Sequence, residues 1–248
     1  MNRYFSLLRR FAVLICLLLS ASGVLAQEAE TPEVNVHVDN VAALQRGAKL
    51  FFNYCSGCHS LKFMRYSRIA SDLHLSDAEV MKNLVFTGVK VGEPAVANMP
   101  PAKAKQFFGK APPDLSLEAR ARGPNWIYAY LKSFYLDPSR PVGWNNTVFP
   151  NASMPNPLWE LQGVQKAVYA SGKQGDESHI EKLELAKDGT MTPMQYDDAV
   201  RDLVTFLTYV GEPAALKRES MGVWVILYLA AFTFLAFLLK REYWKDVH

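Results

Sequence analysis

Two cysteines and a histidine stand in one short run, Cys55-Ser56-Gly57-Cys58-His59. A Cys-x-x-Cys-His run is the attachment pattern of c-type haem. Two intervening residues let a single turn aim both sulfurs at one edge of a porphyrin, where each thiol adds across a vinyl group. The next side chain then carries an imidazole under the iron. Three other readings compete. A thioredoxin-like dithiol wants strand–helix alternation around it, which the surrounding sequence lacks. A structural zinc ion needs four ligands, and no second cysteine pair is present; His37, His74 or His179 would have to complete the set without motif spacing. A Cys55–Cys58 disulfide would close too small a loop to stabilise much. The residues favour covalent haem.

A methionine on the far side of the iron would make a low-spin centre of raised potential, suited to electron transfer, whereas an open site would bind small ligands. Met64 follows His59 too closely to swing round a ring, Met81 falls in a predicted helix, Met191 and Met194 flank a helix start, and Met221 opens an apolar terminal run. Met99, in Asn98-Met-Pro-Pro101, and Met154, in Phe149-Pro-Asn-Ala-Ser-Met-Pro-Asn-Pro157, both lie in proline-stiffened loops able to cross a haem face. Spacing alone does not choose between them.

The elements that must hold these residues read mainly as helices. Asn40 caps a helix predicted over 41–54, whose end delivers Cys55. Ser76-Asp-Ala-Glu79 is a capping-box pattern opening a helix through Phe86, closed near Gly88. Gly123-Pro124 opens a third, with Trp126, Ile127, Tyr130, Leu131 and Phe134 at helical spacing up to Asp137-Pro138. Thr192-Pro-Met-Gln195 opens a fourth that runs to Gly211. Strand-like alternation is scarce, and residues 88–115 and 137–160 read as long loops that need a large buried group to organise them. The charged stretch from Gly172 to Gly189 reads as a solvated loop.

The ends are of another kind. Arg3, Arg9 and Arg10 precede and flank an apolar run from Phe11 to Leu19, and small residues lead to Ala26. That is the pattern of a secretory signal peptide, 1–26, which takes Cys16 away with it. Met221 to Leu239 is uncharged and long enough to span a bilayer, with Trp224, Tyr228, Tyr243 and Trp244 near its ends. The expected organisation is a body at 27–213, a linker at 214–220, a span at 221–239 and a tail at 240–248 on the inner side. The formal charge of +3 belongs to the ends, because residues 27–213 hold 19 Lys/Arg against 21 Asp/Glu. A basic nucleic-acid binder is therefore disfavoured.

Taken together the motifs resemble cytochrome c1, the haem subunit of the bacterial quinol:cytochrome c oxidoreductase (bc1) complex. The resemblance runs from about residue 40 to the C-terminus. It rests on Cys55-Ser-Gly-Cys-His-Ser-Leu-Lys-Phe-Met-Arg-Tyr66, Ala111-Pro-Pro-Asp-Leu-Ser-Leu-Glu-Ala-Arg-Ala-Arg122, the Phe149 to Pro157 loop, Asp188-Gly-Thr-Met-Thr-Pro193, and Lys217-Arg-Glu-Ser-Met-Gly222 leading into the span. It implies an all-α, cytochrome c-like haem domain with long irregular loops plus one C-terminal transmembrane helix. It also implies Met154 as the distal ligand opposite His59, Arg120 facing the haem propionates, and Pro113 with Pro112 against the ring edge. The cofactor would be one covalent haem c. The partners would be cytochrome b, the Rieske iron–sulfur protein and a soluble or membrane-bound cytochrome c, within a dimeric complex, with the haem domain in the periplasm. The mildly acidic body, including Asp176 to Asp188, would steer a basic carrier. A membrane-anchored cytochrome of another respiratory complex, and a haem-free module built on the cysteine pair, remain as rivals.

Overall fold

The computed structural model describes residues 31–170 and 180–246; the signal-peptide reading, 1–26, lies outside them. Asn40 accepts a hydrogen bond from Ala43 N through its side chain and starts helix α1, Val41–Tyr54. The apolar face of α1, with Leu44, Ala48, Phe51 and Phe52, is fully buried. Its partner is the long helix α8, Pro193–Gly211, whose start is fixed by a reciprocal Thr192/Gln195 capping box. The two backbones touch at Gly47, where a Cβ would run into the carbonyl oxygen of Asp202. Such closeness lets Phe206 reach both Phe51 and Phe52, at ring-centroid distances of 5.9 and 6.3 Å. Arg46 pairs with Asp202 across the same crossing at 2.5 Å. This crossed pair is the centre of the core.

Around it lie strand β1 (Leu61–Arg65), α2 (Tyr66–Asp72), α3 (Asp77–Asn83), β2 (Pro94–Ala95), α4 (Pro101–Phe108), α5 (Glu118–Ala121) and α6 (Pro124–Lys132). They are followed by β3 (Phe134–Leu136), β4 (Trp144–Asn146), α7 (Trp159–Gln162), β5 (Gly163–Tyr169) and β6 (Ile180–Asp188). The expected capping box of α3 is present, but the helix stops at Asn83 rather than Phe86. Likewise α6 ends at Lys132, and Phe134 passes into a strand instead of a last helical turn.

The helical class holds, with a small four-stranded sheet added, β4 and β6 falling where loops were expected and β3 where a last helical turn was. Its order is β4-β3-β5-β6, with β3 and β5 parallel through the pair Leu136↔Lys166 and the other neighbours antiparallel. Half of the charged stretch is therefore an edge strand, β6. It escapes a period-2 reading because it lies open to water on both faces, with Leu185 exposed and no residue fully buried. The remaining helix, α9 (Ala215–Tyr243), is apolar all round between its charged ends; Met221–Tyr243 is long and apolar enough to cross a membrane, and none of it is buried against the body.

Candidate haem site

Cys55 is the residue that ends α1. Its N–H still donates to Phe51 O at 2.8 Å, and the chain then curls so that Cys58 N and His59 N both donate to Cys55 O, at 3.1 and 2.8 Å. One turn thus brings Cys55, Cys58 and His59 to the wall of a single cavity of about 400 Å³. That size is within the range of pockets that hold a cofactor, roughly 300–1,000 Å³. Burial, and then the neighbouring Cys58, push the Cys55 thiol up to about 12. Cys55 and Cys58 are not joined to each other, so each sulfur is available to add to a vinyl carbon.

His59 is oriented by the segment that begins at Ala111. Its Nδ1–H donates to the carbonyl of Pro113 at 2.8 Å, which leaves the Nε2 lone pair for a metal. That carbonyl is itself fixed, because residues 111–116 are stitched along residues 60–63. Leu115 N donates to Ser60 O, Lys62 N to an Asp114 carboxylate oxygen, and Phe63 N to Ser116 Oγ, at 2.9, 2.9 and 3.2 Å. Burial is the main influence on the ring and lowers its pKa, which keeps the imidazole in the neutral form that ligates.

Met154 lines the same cavity, and Tyr130 Oη donates to its sulfur at 3.6 Å. Met99 does not line it; its N–H is tied to Gly57 O at 3.3 Å outside the cavity wall. Pro112 and Pro113 line it too. Arg120 does not. The short helix α5 turns that side chain toward Gly211 of α8, and the guanidinium at the cavity is Arg122, two residues on. Arg122 stands 4.3 Å above the Trp126 ring and 5.5 Å from Phe149, and its Nε pairs with Glu118 at 2.9 Å. Arg120 thus lies off the cavity wall and Arg122 on it, because a two-residue step around a helical turn reverses the face. Glu118, Arg122, Trp126 and Tyr130 all line the cavity, but they belong to two helices broken at Gly123, so only the Trp126–Tyr130 step within α6 was a helical signal. The remaining walls are mostly apolar, including Phe108, Leu115, Ile127, Leu131, Leu203 and Leu207. Two thiols, one neutral imidazole, one thioether and an apolar sheath fit a covalent haem. Among the described residues no three His, Cys, Asp or Glu side chains gather as a zinc site would require.

A family model described as the Cytochrome C1 family matches residues 33–247. The chain belongs to the cytochrome c1 family. It is 46% identical over 244 residues to the cytochrome c1 of Allochromatium vinosum, covering 97% of this chain and 100% of that one. It is 41% identical over 222 residues to a protein named ammonia monooxygenase gamma subunit from Nitrosomonas europaea, covering 90% of this chain and 91% of that one. With the cytochrome c1 of Rhodospirillum rubrum it shares 29% over 246 residues, covering 82% and 81%. Membership in the cytochrome c1 family makes the chain a c-type haem protein of respiratory electron transport and a subunit of the bc1 complex, and its apolar C-terminal helix fits a membrane anchor.

Proposed function

We propose that this cytochrome c1 relays single electrons from the Rieske iron–sulfur protein to a soluble or membrane-bound cytochrome c, through one haem c bonded to Cys55 and Cys58. The observation that carries the reading is the meeting of both thiols, His59 and Met154 on one apolar cavity. When bound, the haem supplies the iron that accepts and releases the electron. The chain's own residues do the rest. Cys55 and Cys58 would tether the group, His59 Nε2 and Met154 Sδ would hold its iron and tune its potential, and the leucine-rich walls would exclude water and disfavour extra charge. Of the arginines, Arg122, which lines the cavity, would face the propionates in this reading. In this reading residues 1–26 are cleaved, the body at 27–213 lies in the periplasm, 214–220 link it to the span, and the tail at 240–248 is cytoplasmic. The complex is dimeric, with cytochrome b beside the span.

Three measurements test it. A denaturing gel stained for haem peroxidase activity should show a band at the mature mass, because only thioether-bound haem survives; a colourless band with both thiols alkylatable overturns the covalent assignment. Met154→Leu should abolish the far-red sulfur-to-iron band and lower the potential, while an unchanged spectrum moves the ligand to Met99. Purification in mild detergent should bring cytochrome b and the Rieske protein along.

The second reading, a membrane-anchored cytochrome of another complex, draws support from the Nitrosomonas relative, whose name places it in a monooxygenase. Copurification with oxygenase or copper-oxidase polypeptides, without cytochrome b, would favour it.

A further inference from the structure

The chain from Thr147 to Asn156 has neither helix nor strand, yet it brings Met154 and Phe149 to the cavity. Ordering so irregular a segment costs backbone entropy that local contacts must offset. The contacts converge on one side chain. Asn146, at the end of β4, is 1% exposed. Its Oδ1 accepts from Val148 N at 2.9 Å, Phe149 N at 3.0 Å and Ser133 Oγ at 2.9 Å. Its Nδ2 donates to Tyr130 O at 2.8 Å. Tyr130 is also the residue whose hydroxyl donates to Met154 Sδ. A single buried amide therefore clamps the backbone of α6 to the first turn of the loop, and the loop's far part returns to the same tyrosine. Asn145 adds a second point, its Oδ1 accepting from Asn151 N at 2.8 Å.

We infer that Asn146 is a positioning residue that holds the loop so that the sulfur of Met154 stays in the cavity His59 enters. The inference rests on the reading of Met154 as a ligand. Without the amide, the Val148 and Phe149 N–H groups lose their partner, while the Ser133 hydroxyl and the Tyr130 carbonyl keep only their bond to each other and, for the carbonyl, the one from the Ser133 N–H. The fraction of time Met154 is away from the iron then rises, and an added ligand gains access in proportion.

The test uses the complex purified in detergent, with imidazole as the competing ligand. Asn146→Ala should keep its haem stain, weaken the far-red band, lower the potential, and bind imidazole about tenfold more tightly. Thr192→Ala, which removes only the α8 cap, controls for general destabilisation and should lower the melting temperature with band and imidazole affinity unchanged. Met154→Leu is run in parallel. If it leaves the band intact, the ligand assignment itself fails. If it abolishes the band while Asn146→Ala matches wild type in band, potential and imidazole affinity, the ligand stands and the positioning role is overturned. Should Asn146→Ala not accumulate as holoprotein, Ser133→Ala decides, since it removes one of the three donors to that oxygen. Raised imidazole affinity supports the inference and unchanged affinity overturns it.

Discussion

At the scale of single residues, the hydroxyl of Tyr130 touches the sulfur of Met154, and no motif announces it. Burial pushes its pKa up to about 12, so at neutral pH it is a donor to Met154 Sδ. A donor draws electron density from the sulfur and disfavours ferric iron. Tyr130→Phe should thus lower the potential, by at most about 1 kcal/mol of lost hydrogen bonding, or about 40 mV for one electron. A redox titration reads this directly, and an unchanged potential would show that the hydroxyl leaves the sulfur when the ring is in place. The sequence disclosed residues very unequally. Cys55, Cys58 and His59 were legible because attachment chemistry demands a contiguous run. Met154 was not separable from Met99 by spacing, since what brings Met154 and not Met99 to the cavity is the path of a loop through space. Which of Arg120 and Arg122 reaches the cavity wall was not legible, because the phase of a four-residue helix is set by what it packs on.

At the scale of elements, the α1–α8 crossing positions the cysteines, since Cys55 is the cap of α1. Gly47→Ala would drive a methyl into the α8 backbone and should destabilise by about 1–3 kcal/mol, read as a lowered melting temperature with earlier haem exposure. Acid should act on the loop anchor. Ser139 and then Asn145 hold the Asp137 carboxylate below its ordinary pKa. A depressed carboxylate contributes stability above its unfolded pKa that is lost as pH falls through the folded one. The far-red band of the wild type should therefore carry a component lost in the acid carboxylate range, and Asp137→Asn should remove that component, because its amide accepts from Asn145 at any pH. Four helices were readable from caps and periodicity. Helix α4 was overlooked in a proline-rich stretch, although Pro101 followed by Ala-Lys-Ala-Lys-Gln is a fair helix opening. The sheet was unreadable for a different reason: β3 and β4 are three residues each, and β6 is wet on both sides.

At the scale of the whole molecule, the charge pattern bears on the carrier. On β6, Glu184 already holds Lys182 at 2.9 Å and Lys166 at 3.8 Å, which leaves less free negative charge on the hairpin than the sequence suggests. Steering by the net acidic body should still slow carrier reduction as salt rises, and stopped-flow rates flat from low to high ionic strength would exclude it. A stop codon at Met221 should release a water-soluble protein that retains its haem stain; failure to leave the membrane fraction would mean a further attachment.

Helix α8, which lends Leu203 and Leu207 to the cavity wall, is separated from α9 only by Glu212, Pro213 and Ala214, and Arg218 reaches back to Glu212 across that gap. A joint so brief is a short leash. In the proposed reading a haem held here would have little room to swing above the lipid surface, and the errand of fetching and delivering charge would fall to the proteins that visit it.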